Sequence, residues 1–121
     1  TTSRFYWPED EGEWVIHRFA WVNSRSFAMP HPVGEKMPNA WGLYDMSGNI
    51  WEWCRTQWQG DYDRYKNDND IRGSDLRVFR GGSFFYGTWF VRCTFRDAGS
   101  PDYRFRSRGF RVVVSPFSPT A

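Results

Sequence analysis

Glycine, proline, asparagine and aspartate interrupt nearly every stretch of eleven residues, so no sustained 3.6-residue period runs along this chain and long helices are not expected. The pattern predicts short strands joined by long loops. Glu13 to Val22 (EWVIHRFAWV) gathers strong strand formers with imperfect alternation, and Pro30, Pro32 and Gly34 close it. Ile50 to Cys54 alternates more cleanly. As a strand it places Trp51 and Trp53 on one face and Ile50, Glu52 and Cys54 on the other. Glu52 in that company calls for an arginine, a metal ion or water at a sheet edge, because an unpaired buried carboxylate is costly. Upstream, Asn39 starts a turn, and Gly42 and Gly48 suit positive φ. Leu76 to Ser83 reads as another short strand ending in Gly81-Gly82, where backbone can approach backbone closely.

Two later segments depart from any regular period. Phe84 to Phe90 packs five rings into seven residues, following neither a strand nor a helix pattern, so much of the run is expected to point outward. Tyr103 to Arg108 alternates strictly: if extended, Tyr103, Phe105 and Ser107 lie on one side and Arg104, Arg106 and Arg108 on the other. Gly109 to Val114 then supplies a final strand.

Composition narrows the classes. With 8 Trp, 6 Tyr and 11 Phe in 121 residues, the chain has the rings to build a core and is not a disordered tail. No run of eighteen apolar residues could span a bilayer, so membrane insertion is not expected. A net charge of +2 lacks the clustered basic excess of nucleic-acid binders, and Asp97 and Asp102 interrupt the arginines near the rings; no nucleic-acid partner is expected. Cys54 and Cys93 permit at most one disulfide and, with His17 and His31 at unrelated spacings, no zinc tetrad; they read as two small buried apolar side chains. The opening TTSRFYWPED shows neither a basic start nor an apolar core of a signal peptide, which leaves a cytoplasmic or surface-associated location open. Residues 59–76 are rich in Asp and Asn; their spacing misses the calcium-loop pattern, so a solvated loop is expected.

Three motifs in order, PNAWGLYDMSGNIWEW from Pro38, RVFRGGS from Arg77 and GFRVVVS from Gly109, resemble the formylglycine-generating-enzyme-like (sulfatase-modifying-factor) domain. The resemblance implies an α+β, C-type-lectin-like fold, irregular and loop-rich with short antiparallel strands. Residues 1–121 would form a single domain, the C-terminal half to two-thirds of the family's. Oxidases of this family use one cysteine three residues after the GGS and another five further on to bind copper. Here those positions are Tyr86 and Val91, which cannot form thiolates, so the resemblance implies a non-enzymatic member. Related sulfoxide synthases add an iron-binding histidine cluster, and this chain has two histidines. Relatives also carry calcium at the turn that corresponds to Asn49 and Glu52; beyond such a structural calcium no cofactor is expected.

A second branch of the family, the variable proteins of diversity-generating retroelements, resembles this chain more closely. Its frame is matched by RGGSF from Arg80, VRCTFR from Val91, PDYR from Pro101 and GFRVV from Gly109. The slots between, in a variable region of residues 84–108, are Phe85, Tyr86, Gly87, Trp89, Phe90, Asp97, Gly99, Ser100, Tyr103, Phe105 and Ser107. Trp89 departs from the residues that mutagenesis of an asparagine codon reaches. Tyr and Trp offer stiff contact area, and Gly and Ser let loops adapt, so the segment has the composition of a binding surface for a protein or glycan. Framework strands at 48–54, 76–83 and 109–114 would hold it, and Arg92, Arg96, Arg104 and Arg111 would brace loops through Asp45, Glu52 or backbone carbonyls. Two alternatives remain: a catalytic oxidoreductase of the family, or an accessory structural domain whose rings pack against the missing N-terminal part or another chain.

Overall fold

The computed structural model describes residues 3–8, 13–23, 26–60, 73, 75–114 and 116. Most of the Asp/Asn-rich stretch, residues 61–72 and 74, lies outside them. The first element corrects an expectation. Glu13–Val15 forms a 3-10 turn that runs into α1, Ile16–Phe19, where a strand was predicted. Val15, Ile16, Phe19 and Ala20 are buried while Trp14 is exposed, a spacing that fits one face of a helix. Burial of that face outweighs the strand propensity of the β-branched residues. These side chains form a core with Trp7, Val22 and Val91. Trp7 stacks on Phe5 at 4.7 Å and on Phe19 at 5.3 Å, and the Tyr6 hydroxyl donates to the Phe19 carbonyl at 3.0 Å.

The sheet comprises β1 (Trp51–Gln57), β2 (Arg77–Arg80), β3 (Arg96–Gly99) and β4 (Arg108–Gly109), in the order β3-β2-β1-β4. β2 pairs antiparallel with both neighbours, setting Trp53 opposite Phe79 and Phe79 opposite Asp97, and the β1/β2 register slips between Trp53 and Gln57. β4 runs parallel to β1, with Trp51 beside Arg108, so the sheet is mixed rather than wholly antiparallel.

The predicted final strand from Gly109 to Val114 is cut short: β4 ends at Gly109, and Phe110 and Val112 to Val114 are exposed, the three valines at 82–91%. Among the described residues nothing pairs with their backbone, and strand propensity without a partner edge forms no ladder. No helix of the described residues is long and apolar enough to cross a membrane.

Two glycines at the chain crossings are required. A Cβ on Gly48 (φ 78°) would sit 2.5 Å from the Trp21 carbonyl oxygen, and one on Gly82 (φ 73°) 2.5 Å from Val91 Cγ1. The Gly48 amide donates to the Gly81 carbonyl at 2.6 Å, locking the turn before β1 to the double glycine after β2.

Candidate functional site: a ring-bearing face beside β1

Phe84 anchors the ring-rich segment. It is wholly buried; its amide donates to the Asn49 carbonyl at 2.7 Å and its carbonyl accepts from the buried Ser26 hydroxyl at 2.6 Å. With that residue fixed inward, Phe85 and Tyr86 emerge on the surface. A second anchor follows. Val91, at the end of the 3-10 turn Thr88–Val91, is buried and its carbonyl accepts from Ser47 Oγ, so the turn projects Trp89 outward. Phe90 is half-buried between Tyr86 at 4.9 Å and Phe95 at 5.0 Å.

Trp51, buried on β1, is the hub beneath. Phe79, Tyr86, Phe90 and Phe95 surround it at centroid distances of 5.0, 5.5, 6.4 and 5.8 Å. Its amide donates to the Ser107 carbonyl at 2.7 Å, which brings the second ring-bearing segment to the same strand. There Tyr103 and Phe105 are exposed, 6.3 Å apart. Five rings, Phe85, Tyr86, Trp89, Tyr103 and Phe105, thus stand 37–65% exposed on two segments that both attach to β1.

The other predicted slots are less displayed. Gly87 and Asp97 are exposed, and Asp97 Oδ1 accepts from the Ala98 amide. Gly99, Ser100 and Ser107 are half-buried. Gly99 packs under the face: a Cβ there would meet Arg108 Nη1 at 3.0 Å and Phe79 Cε1 at 3.3 Å.

The two-sided reading of 103–108 does not hold. Tyr103 to Arg106 are all exposed, and Arg108 lies on the same side as Phe105, its guanidinium 4.4 Å from that ring's centroid and 4.3 Å from that of Phe79. The cause is a turn, closed by the Arg108 amide donating to the Phe105 carbonyl at 3.1 Å, which breaks the extended backbone that alternation requires. Sequence reasoning missed Trp51 as hub and these stacked arginines. The three-residue spacing of Trp89 to Arg92 and of Phe105 to Arg108 is the signal that was available. Arg92 stacks on Trp89 at 3.3 Å while its Nε donates to the Trp89 carbonyl at 2.8 Å.

The expected bracing is present for Arg96, which donates to the Gln59 carbonyl at 2.8 Å, and for Arg111, which pairs with both carboxylate oxygens of Glu52 at 2.7 and 2.5 Å. The Glu52 carboxylate raises the pKa of the Arg111 guanidinium further. Arg104 forms no such brace with any described residue and is exposed.

The two residues expected to hold calcium are engaged with protein partners. Asn49 Oδ1 accepts from the His31 amide and Nδ2 donates to the His31 carbonyl, while Glu52 is held by Arg111. In the same cavity Asp45 leaves one buried carboxylate oxygen without a hydrogen bond to any described residue. Copper fares no better: Tyr86 packs on Trp51, and Val91 is buried hydrocarbon. Cys93 is exposed and Cys54 half-buried, correcting the expectation that both are core residues. Burial, reinforced by Glu52 and opposed by Arg80, raises the Cys54 thiol pKa and disfavours the thiolate a metal needs. Cys93 borders an apolar cavity of about 330 Å³ lined also by Tyr6, Trp41, Met46, Val91 and Phe95.

The sequence profile of the sulfatase-modifying factor enzyme 1-like domain matches residues 3–116. The chain belongs to that family. Solved structures share its fold: the Treponema denticola variable protein 1 superposes with a TM-score of 0.72 at 32% identity, over 90% of this chain and 40% of that one. PvdO from Pseudomonas aeruginosa superposes with a TM-score of 0.76, also at 32% identity, over 89% of this chain and 44% of its own. In sequence, the formylglycine-generating enzyme of Thermomonospora curvata is 34% identical over 94 residues, which is 70% of this chain and 31% of that enzyme. The chain therefore spans well under half the length of each of these relatives. The fold is accordingly the loop-rich, C-type-lectin-like one with a small mixed sheet.

Proposed function

We propose that this domain is a non-catalytic ligand-binding module that displays Phe85, Tyr86, Trp89, Tyr103 and Phe105 to a protein or glycan surface. The exposure of these five rings on two segments braced against β1 carries the reading. An exposed aromatic patch on a folded domain marks an interaction site, and rings held by stacking lose little entropy on binding. Tyr86 and Val91 at the oxidase cysteine positions, and the likeness to a protein named as variable, support a display role over oxidation. The test has two arms. Sequencing this locus in sibling strains is expected to find variation confined to the slots between residues 85 and 107, beside a near-copy of that coding stretch. Purified protein supplied with copper(I) and a cysteine-containing sulfatase peptide is expected to yield no formylglycine. Aldehyde formation, or substitutions scattered evenly over the gene, overturns the proposal.

A second reading is favoured by one observation. Phe110, Val112, Val113 and Val114 form a bare apolar segment after β4, and Val33 and Leu43 are exposed as well. That segment suits an extended stretch of a longer protein, which would make the domain an accessory structural unit as well as a display. Slow amide exchange at Val112 to Val114 in the full-length gene product supports it; exchange there at the free-chain rate overturns it.

A further inference from the structure

We infer that the partner met by the ring-bearing face is an acidic protein surface, one that sets carboxylates among apolar side chains. This rests on the binding role proposed above and adds the chemistry of the ligand. Between residues 84 and 108 the chain carries Arg92, Arg96, Arg104, Arg106 and Arg108 against Asp97 and Asp102. Arg96 is engaged with the Gln59 and Gly60 carbonyls and the Trp58 ring. The other four guanidiniums form no ion pair with any described residue, whereas Arg111, two residues past β4, is neutralised by Glu52. Asp97 directs one oxygen to the neighbouring Ala98 amide.

The placement of these cations matters more than their number. Arg92 sets its guanidinium carbon over the Trp89 ring at 3.3 Å, and Arg108 sets its own over Phe105 at 4.4 Å. A stacked guanidinium has its faces covered, while the N–H groups in its plane remain able to grip a carboxylate with two parallel bonds. Arg92 keeps its Nη groups for this purpose, since Nε serves the Trp89 carbonyl. Stacking also fixes the side chain before the partner arrives, which lowers the entropy cost of binding. Arg104 and Arg106 are exposed and alternate along the chain with Tyr103 and Phe105, and the Arg106 guanidinium lies 5.6 Å from the Phe84 ring centroid. The face therefore offers apolar area interleaved with separate, uncompensated positive charges, complementary to carboxylates spaced among apolar groups. Nucleic acid is the weaker match: Asp97 and Asp102 are exposed within the same face, and the whole chain carries only +2, where a phosphate backbone requires a continuous basic track.

The experiment uses a random copolymer of glutamate and tyrosine as the acidic aromatic probe and a single-stranded oligothymidylate as its rival, each titrated into the protein at low salt. The copolymer is expected to bind. The double substitution Arg104→Glu/Arg106→Glu should weaken it by at least about tenfold, the size expected for losing charge-assisted contacts. Both side chains are exposed, and an unchanged circular dichroism spectrum verifies the fold. Phe85→Ala/Trp89→Ala should weaken it too. If the charge reversal leaves copolymer affinity unchanged while the ring substitutions reduce it, the acidic-partner inference fails and the display reading stands. If neither pair has an effect, both fail. Oligothymidylate binding as tight as the copolymer's, and lost in the same charge-reversed variant, overturns the inference in favour of nucleic acid.

Discussion

Two exposed apolar regions of this domain look alike by composition and differ in how they are held. The rings of 85–105 stand on buried anchors: Phe84 and Val91 are fixed inward, Trp51 lies beneath, and arginines stack on Trp89 and Phe105. Among the described residues, the Phe110 to Val114 run has only Arg111 tied down, through Glu52 and the carbonyls of Tyr44 and Asp45, while its valines are exposed. Exposure by itself therefore does not identify a recognition surface. Rings that are ordered before the ligand arrives fit a binding site, and a bare segment of strand-forming residues fits a piece of chain awaiting its partner in a sheet.

The largest expected effect comes from removing the floor of the first region. Phe84→Ala deletes a wholly buried ring and should destabilise the domain by about 3–5 kcal/mol, read from denaturant midpoints. Gly82→Ala comes next, at about 1–3 kcal/mol: the added methyl meets Val91 Cγ1 at a backbone angle that side chains rarely adopt. Glu52→Gln, which loosens the tether of the second region, should cost at most about 1 kcal/mol, because the Arg111 pair is partly exposed and screened. Its sharper signature is faster amide exchange at 110–114 with none at 85–91. Trp89→Ala should change stability by less than about 1 kcal/mol while weakening ligand binding, which separates display from support.

The smallest effect concerns alkali. Burial raises the pKa of both the Cys54 thiol and the Tyr6 phenol, the latter helped by Asp45 and Cys93, so the folded state holds these protons more tightly than the unfolded chain. That stabilisation is complete below the unfolded values of 9.0 and 10.0 and is lost as pH rises through the raised folded ones. Thermal midpoints should thus decline above pH 9.0 in the wild type and decline less in Cys54→Ala.

Much of this arrangement was legible in the sequence. Alternation at 50–54 located β1, and the double glycine located the crossing behind β2. An apolar setting for Glu52 called for the arginine it has. The aperiodic ring run announced side chains that no regular element could bury. Errors arose where tertiary contacts overrule local pattern. The turn at 13–19 hides a helix face among strand formers, and a single hydrogen bond from Arg108 to Phe105 folds an alternating segment onto one side. The last strand failed for the opposite reason, its residues having the propensity but no neighbour.

Hydroxyl-radical footprinting of the full-length protein, with Trp51 as the internal buried standard, tests the display of the rings most directly. Phe85, Tyr86, Trp89, Tyr103 and Phe105 should oxidise readily while Trp51 does not. Protection of Phe85, Trp89 and Tyr103 to the level of Trp51, in protein without ligand, would contradict it.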